Sequence, residues 1–170
     1  MDEIEIPTEH LHETIQEKAE KEKESTWFTW VAISTAMMAV FAAISGLMAG
    51  HYSNEALISQ IQASDQWSYY QAKGIKGEIK ALQASSGIAD VSAVSKYKTE
   101  QEEIKKEAEK LQAESKFYLE KHVKLAQSVT LFQISIAISA ISMLTKKKFL
   151  WVASLLVSIT GLVFFITGFI

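Results

Sequence analysis

Few residue types in this sequence could carry chemistry, and their arrangement narrows the choice further. The 170 residues include no cysteine, and all 17 basic residues are lysine. Thiolate catalysis, disulfides and cysteine-ligated metals are therefore excluded, and no arginine is available to bind phosphate or carboxylate in bidentate fashion. No nucleophile, base and orienting group recur together, so we expect no catalytic residue, no cofactor and no enzymatic activity.

The histidines are the remaining candidates for a metal or pH-sensing site. His10 and His12 lie in an acidic segment, but residues two apart point to different faces of a helix, which favours a solvated segment. His51 and His122, with Glu55 one helical turn from His51, are weak candidates for a metal or pH-sensing site. The alternative is a pair of interfacial histidines without such a role.

The elements that position these residues follow from the separation of charged from apolar residues along the chain. Mean hydropathy is only +0.07, but the runs 27–50, 125–145 and 149–170 contain no charged residue. Each run reaches the roughly 20 residues needed to span the hydrocarbon core of a bilayer. The sequence therefore predicts an all-α membrane protein with three transmembrane helices. The preceding residues, 1–26, form an acidic amphiphilic segment that is expected to be partly helical or disordered.

Lysine placement predicts the orientation of these spans. The short connection 146–148 consists of three lysines, and short lysine-rich loops remain cytoplasmic. The N-terminus is then cytoplasmic, and the 51–124 segment and the C-terminus lie outside.

The 51–124 segment is expected to form an antiparallel, coiled-coil-like helical hairpin with a turn near 84–91, where Asp90 is a candidate helix N-cap. In its second half, residues at heptad spacing form a seam: Val94, Tyr97, Gln101, Ile104, Ala108, Leu111, Ser115, Tyr118 and His122. A weaker seam is predicted in the first half: Ile58, Ile61, Asp65, Ser68, Ala72, Ile75, Ile79 and Leu82. The register set by the turn places Ile79 opposite Val94 and His51 opposite His122.

Small and polar residues inside the spans are candidates for helix packing. In lipid, close packing must replace the hydrophobic effect as the cause of helix association. The packing candidates are two sets: Ala32, Ala36, Ala39, Ala43, Gly46 and Gly50 in the first span, and Ser154, Ser158 and Gly161 in the third. They could pack subunits of a homo-oligomer or the three spans of one subunit. A serine face in the second span, Ser128, Ser135, Ser139 and Ser142, could line a pore or hydrogen-bond to helix carbonyls.

Four residues of the hairpin are candidate interaction residues: Asp65, Trp67, Tyr69 and Tyr70. Asp65 could fix register or oligomer number from its seam position, and the aromatic residues could dock a protein partner. Nucleic acid is disfavoured as a partner because the 51–124 segment balances 11 lysines against 11 carboxylates.

Several stretches resemble a known family: AGHYSNEALISQIQASDQWSYYQAKGIKGEI, YKTEQEEIKKEAEKLQAES, VTLFQISIAISAIS and TKKKFLWVASLL. They are similar to bacterial three-span membrane proteins described as a domain of unknown function, of the DUF4337 type. The resemblance covers nearly the whole chain after about residue 26. It implies a bacterial inner-membrane protein with three spans and a helical insert, and it supplies no activity or catalytic residues.

Two functional hypotheses follow from these patterns. The first is a non-enzymatic membrane scaffold that self-associates and uses its helical stalk for assembly or partner docking. The alternative is an oligomeric ion channel or pore lined by the serine face of the second span. The expected partners are the lipid bilayer, further copies of the chain and a protein bound to the hairpin.

Overall fold

The structure is a computed structural model, which describes the backbone of residues 8–87 and 91–170 and the side chains of residues 26–87 and 94–170. Those residues contain helices and no strand. The helices are α1 (Thr8–Ser85), α2 (Val91–Thr145) and α3 (Lys148–Phe169). Each contains a stretch long and apolar enough to cross a membrane. The predicted all-α class and its three candidate spans are therefore confirmed at this level, whereas His10, His12 and Asp90 fall outside the described side chains.

The apolar runs and the charged arms belong to the same helices. Helix α1 continues for 78 residues and α2 for 55, so the predicted boundaries at 26/27, 50/51 and 124/125 are not helix ends. The single proline, at position 7, precedes α1. Without a proline inside either helix, no backbone donor is lost and no ring clashes with the preceding turn.

Helices α1 and α2 are each followed by a residue with positive φ. After Ser85, Gly87 has φ +72° and its amide donates to the carbonyl of Ala84 at 3.1 Å, a conformation that glycine adopts without steric cost. After Thr145, Lys146 has φ 54°, and the Ser142 hydroxyl donates to the Lys147 carbonyl at 2.9 Å. Helix α3 begins at Lys148, one residue before the predicted start.

The helices form two compact units. The first contains the described residues up to Ile44 and residues Ser128–Val163. There α2 and α3 pack through Ser128, whose hydroxyl donates to the Gly161 carbonyl at 3.0 Å, and through the Ser139 and Ser154 hydroxyls, 2.8 Å apart. Helix α1 joins them where the Trp151 indole donates to Ser34 Oγ at 3.1 Å.

The second unit contains Ser45–Gln127 and Phe164–Ile170. Near the end of α3, Lys121 donates to the Phe169 carbonyl at 2.9 Å and Lys124 to the Thr167 carbonyl at 3.4 Å. Lysine side chains in this position satisfy carbonyls that have no partner in the last helical turn, and they complement the helix dipole. These two bonds fix the last turn of α3 against α2.

The seam predicted for α2 lies on its packed face, since all nine of its residues are buried or half-buried. The seam predicted for the first half is wrong, because all eight of its residues are exposed. The face of α1 that is buried or half-buried has the same heptad spacing but mostly small or polar residues: Ala49, Tyr52, Ala56, Ser59, Ala63, Gln66, Tyr70, Lys73, Gly77, Lys80 and Ala84. Small residues occupy this face because the two helix backbones approach closely, as the hydrogen bonds below show.

Candidate functional site

Three α2 side chains in the second unit hydrogen-bond to backbone carbonyls of α1. His122 Nδ1 lies 2.8 Å from the Ala49 carbonyl, and Ser115 Oγ donates to the Ala56 carbonyl at 2.8 Å. Gln101 Nε2 donates to the Tyr70 carbonyl at 3.4 Å. A carbonyl can only accept, so the Nδ1 of His122 carries the proton in this contact. We call these three contacts the carbonyl ladder.

The carbonyl ladder advances in steps of seven residues. Ala63 lies seven residues after Ala56 in α1, and Ala108 lies seven residues before Ser115 in α2. The same register therefore places Ala63 opposite Ala108. These two alanines are only 1% and 0% exposed, which agrees with a layer in which small side chains face each other. A seven-residue repeat of this kind keeps one face of each helix on its partner. The carbonyl ladder therefore fixes the register of α1 against α2, and its bonds to backbone carbonyls form only where the two helices lie close together.

The predicted pairing of His51 with His122 is not observed. His122 hydrogen-bonds to Ala49, two residues earlier, while His51 is exposed and lies beside Tyr52 with ring centroids 5.4 Å apart. Among the described residues, no group of three or more His, Cys, Asp or Glu side chains is close enough to hold a metal ion. The contact of His122 is therefore a packing contact of the carbonyl ladder.

The four candidate interaction residues divide between two faces of α1. Trp67 and Tyr70 are half-buried and pack edge to face, with ring centroids 5.6 Å apart. Asp65 and Tyr69 are exposed, and the Lys73 ammonium lies 5.6 Å from the centre of the Tyr69 ring. Asp65 and Tyr69 are thus the exposed members of this set, whereas Trp67 packs against Tyr70 within the chain.

An ion pair between Lys73 and Glu100 joins α1 to α2 beyond the carbonyl ladder. Its hydrogen bond raises the pKa of Lys73 and lowers the pKa of Glu100, so both groups remain charged at neutral pH. The pair borders a cavity of about 400 Å³ whose lining also includes Lys80, Lys96 and Tyr97. The pair therefore joins the two helices as a charged contact.

The serine face of α2 lies inside the first unit. Ser128, Ser135, Ser139 and Ser142 are all 0% exposed. Ser128 and Ser139 bond to α3, Ser135 donates to the Leu131 carbonyl of its own helix at 2.9 Å, and Ser142 bonds to the following turn. Each hydroxyl thus has a partner within the chain.

The two sets of small residues behave differently. In the third helix, Ser154 and Gly161 are buried and Ser158 is half-buried, and a Cβ on Gly161 would lie 3.3 Å from the Leu131 Cβ. In the first helix, every member of the small-residue stripe is exposed: Ala32, Ala36, Ala39, Ala43, Gly46 and Gly50. The third-helix residues serve packing within the chain, whereas the stripe of α1 is left uncovered.

Comparison with known proteins identifies a family to which this chain is similar. The family model described as "Domain of unknown function (DUF4337)" matches residues 27–170. The chain belongs to the DUF4337 family. No curated protein and no solved structure matched it. The match includes the described parts of both arms and all three apolar stretches, so the features above lie inside the DUF4337 domain.

Sequence reasoning missed the small-residue face of this DUF4337 chain. Large apolar residues are the usual sign of a packed face in a water-exposed helix pair, whereas small residues are the usual sign in a membrane span. Ala49, Ala56 and Ala63 recur every seven residues, which is the signal that would have identified the packed face. Hydropathy alone instead predicts that the isoleucines, which are exposed, lie inside the hairpin.

Proposed function

We propose that this DUF4337 protein is a non-enzymatic, multi-pass membrane protein that self-associates and serves as a scaffold. Its 51–124 segment acts as a helical stalk for assembly or partner docking. The membrane assignment is supported by three helices that are long and apolar enough to span a bilayer. The apolar runs 27–50, 125–145 and 149–170 contain no charged residue, which disfavours ion-coupled transport.

The stalk is an antiparallel hairpin in this proposal. The carbonyl ladder and the Lys73–Glu100 pair support it, because successively later α1 residues contact successively earlier α2 residues. The turn residues Ser86 and Gly87, which follow α1, support a reversal of the chain near this point. A ladder of side-chain bonds to backbone, together with small residues, makes a stiff and register-specific element, as a scaffold requires.

The observation that carries self-association is the exposed small-residue stripe of α1. Small residues on a transmembrane helix allow backbones to approach, which is the main cause of helix association in lipid. The third helix uses its small residues for packing within the chain, whereas Ala36 borders an open apolar groove of about 360 Å³ together with Ile33, Met37 and Val40. We infer that another copy of the span fills this groove.

We place the protein in the bacterial inner membrane, as the family resemblance implies, with the N-terminus cytoplasmic. The lysine connection at 146–148 supports this orientation. Lys121 and Lys124 hold the last turn of α3, which supports emergence of the C-terminus on the same side as the base of the hairpin.

The pore alternative is weaker than the scaffold. A pore lined by the serine face of α2 requires hydroxyls that point into a water-filled lumen. All four serines are instead buried and bonded within the chain, so opening a pore would require those bonds to break.

We expect Ala36→Leu to weaken self-association by about tenfold or more, since a larger side chain keeps the helices apart. The measurement is the dissociation constant of labelled protein in lipid vesicles, obtained by energy transfer over a range of protein-to-lipid ratios. Ala140→Leu, the same substitution at an exposed alanine of α2, is the control and should leave association unchanged. Equal association of the wild type and Ala36→Leu would contradict a role for the stripe.

A further inference from the structure

One face of α1 in the second unit exposes large apolar side chains that no other part of the described chain covers. The eight exposed heptad residues from Ile58 to Leu82, wrongly predicted to form an internal seam, make up this face, which we call the outer face. Its large side chains are between 48% and 69% exposed: Ile58, Ile61, Ile75, Ile79 and Leu82. The eight positions of the outer face follow one another at spacings of three and four residues over more than three heptads, the pattern of a helix that packs against another helix. The large side chains form two groups along it, Ile58 with Ile61 and Ile75 with Ile79 and Leu82, separated by Asp65, Ser68 and Ala72.

The corresponding outward side of α2 is different. Between residues 94 and 116 of α2, no large apolar side chain is exposed, and the outward positions there are rich in glutamate and lysine. Ion pairs such as Lys105 with Glu109 and Lys110 with Glu107 lie on that surface. One side of the helix pair is thus suited to water, whereas the α1 side exposes two groups of large apolar side chains, and exposed apolar surface of this kind marks an interaction site.

We propose that a second copy of this chain covers the outer face by pairing its own α1 in parallel and in register. This inference rests on the proposed membrane anchoring and self-association. Copies inserted in the same orientation present the same residues at the same height above the bilayer, so Ile61 meets Ile61 and Ile75 meets Ile75. Parallel helices with isoleucine and leucine at heptad positions associate through these positions.

The surface and the charges fit a second copy. The five large residues of the outer face, with Leu57 and Tyr69 beside it at 59% and 48% exposure, offer on the order of several hundred Å² per copy. This is the scale of the roughly 800 Å² that each partner contributes to a standard interface. The flanking positions hold only two charges, Lys76 and Glu78. In a parallel pair, Lys76 lies beside Gln71 of the other copy, and Glu78 lies beside Gln83 of the other copy. No two like charges are therefore neighbours at these flanking positions.

Asp65 is the exception within the outer face. In a parallel, in-register pair, the two Asp65 carboxylates approach each other at one heptad position. Like charges at such positions weaken pairing, while a polar residue there fixes register and the number of helices. A second copy in register necessarily places its own Asp65 carboxylate opposite this one, whereas an unrelated partner does not. The effect of removing the Asp65 charge therefore distinguishes a second copy from other occupants.

Disulfide cross-linking tests the proposal, because the chain has no cysteine of its own. Full-length Ile61→Cys and Ile75→Cys, oxidised in membranes, should form covalent dimers several-fold faster than Glu103→Cys, an exposed control on α2. Adding Asp65→Asn to Ile61→Cys should increase the dimer yield about twofold by removing like-charge repulsion.

Four outcomes would overturn the pairing of outer faces: no dimer at positions 61 and 75, equal dimer at position 103, a covalent adduct with a different protein, or no increase with Asp65→Asn. If dimers are absent while the wild type is oligomeric by native mass spectrometry, self-association stands and only this inference fails. A monomeric wild type would instead remove the proposed function itself.

Discussion

Replacing Gly161 with leucine is expected to separate α3 from α2 and to lower the free energy of unfolding by about 3 kcal/mol. A Cβ at this position would already lie 3.3 Å from Leu131 Cβ and 3.4 Å from the Phe132 ring. Phe132 is 1% exposed and cannot move away without disturbing its own surroundings. A larger side chain would also displace the Gly161 carbonyl from the Ser128 hydroxyl that it binds.

The matched control is Gly50→Leu. No heavy atom lies within 4 Å of a Cβ built on Gly50, so this substitution should leave the helix packing unchanged. Because leucine has a higher helix propensity than glycine, the free energy of unfolding should rise by up to about 1 kcal/mol. Unfolding by sodium dodecyl sulfate, in micelles dilute enough to keep the chain monomeric, can be followed by tryptophan fluorescence. Equal loss of stability in both variants would mean that Gly161 is not a close contact between α2 and α3.

Ala108→Leu should have the second large effect, a loss of about 1–3 kcal/mol in the stability of the packed arms. Ala108 is fully buried, and the carbonyl ladder places it opposite Ala63. Added side-chain volume would push the two helices apart, lengthening the neighbouring Ser115 bond to the Ala56 carbonyl. Hydrogen exchange of the amides in α1 and α2 measures this loss segment by segment.

Ala113→Leu is the control for that experiment. Ala113 lies on the same helix five residues later and is exposed, so leucine there meets water and changes stability by less than about 0.5 kcal/mol. If exchange protection fell equally in both variants, the close approach of the helices at Ala63 and Ala108 would be contradicted.

The contrast between the arms shows how far the sequence predicts this fold. The α2 arm has large apolar or aromatic residues at every second seam position, namely Tyr97, Ile104, Leu111 and Tyr118, and charged residues on its other faces. Its packed face is therefore evident from hydropathy. The α1 arm has two heptad faces, one of small residues and one of isoleucines, and hydropathy selects the second. Ala56 and Ala63 face α2 because their small side chains let the helices approach closely enough for Ser115 to donate to a backbone carbonyl of α1. Hydropathy scales do not include the free energy of such a hydrogen bond.

The candidate site was predictable to a similar extent. The small residues of α1 and α3 are recognisable from their spacing, but spacing alone does not say which set packs within the chain. Gly161 packs inside because Leu131 and Phe132 lie against it, whereas Gly50 has an open side. The His51 and His122 pairing failed because a two-residue difference in register brings Ala49 to His122 instead.

The number of copies in the membrane tests the central claim most directly. Native mass spectrometry of the wild-type chain in lipid nanodiscs reports this number without labels or substitutions. We predict an assembly of two or more 19.0 kDa chains, with the exposed stripe of α1 at its interface. A chain that remains monomeric across lipid compositions and protein concentrations would contradict self-association and leave the stripe as a lipid-facing surface.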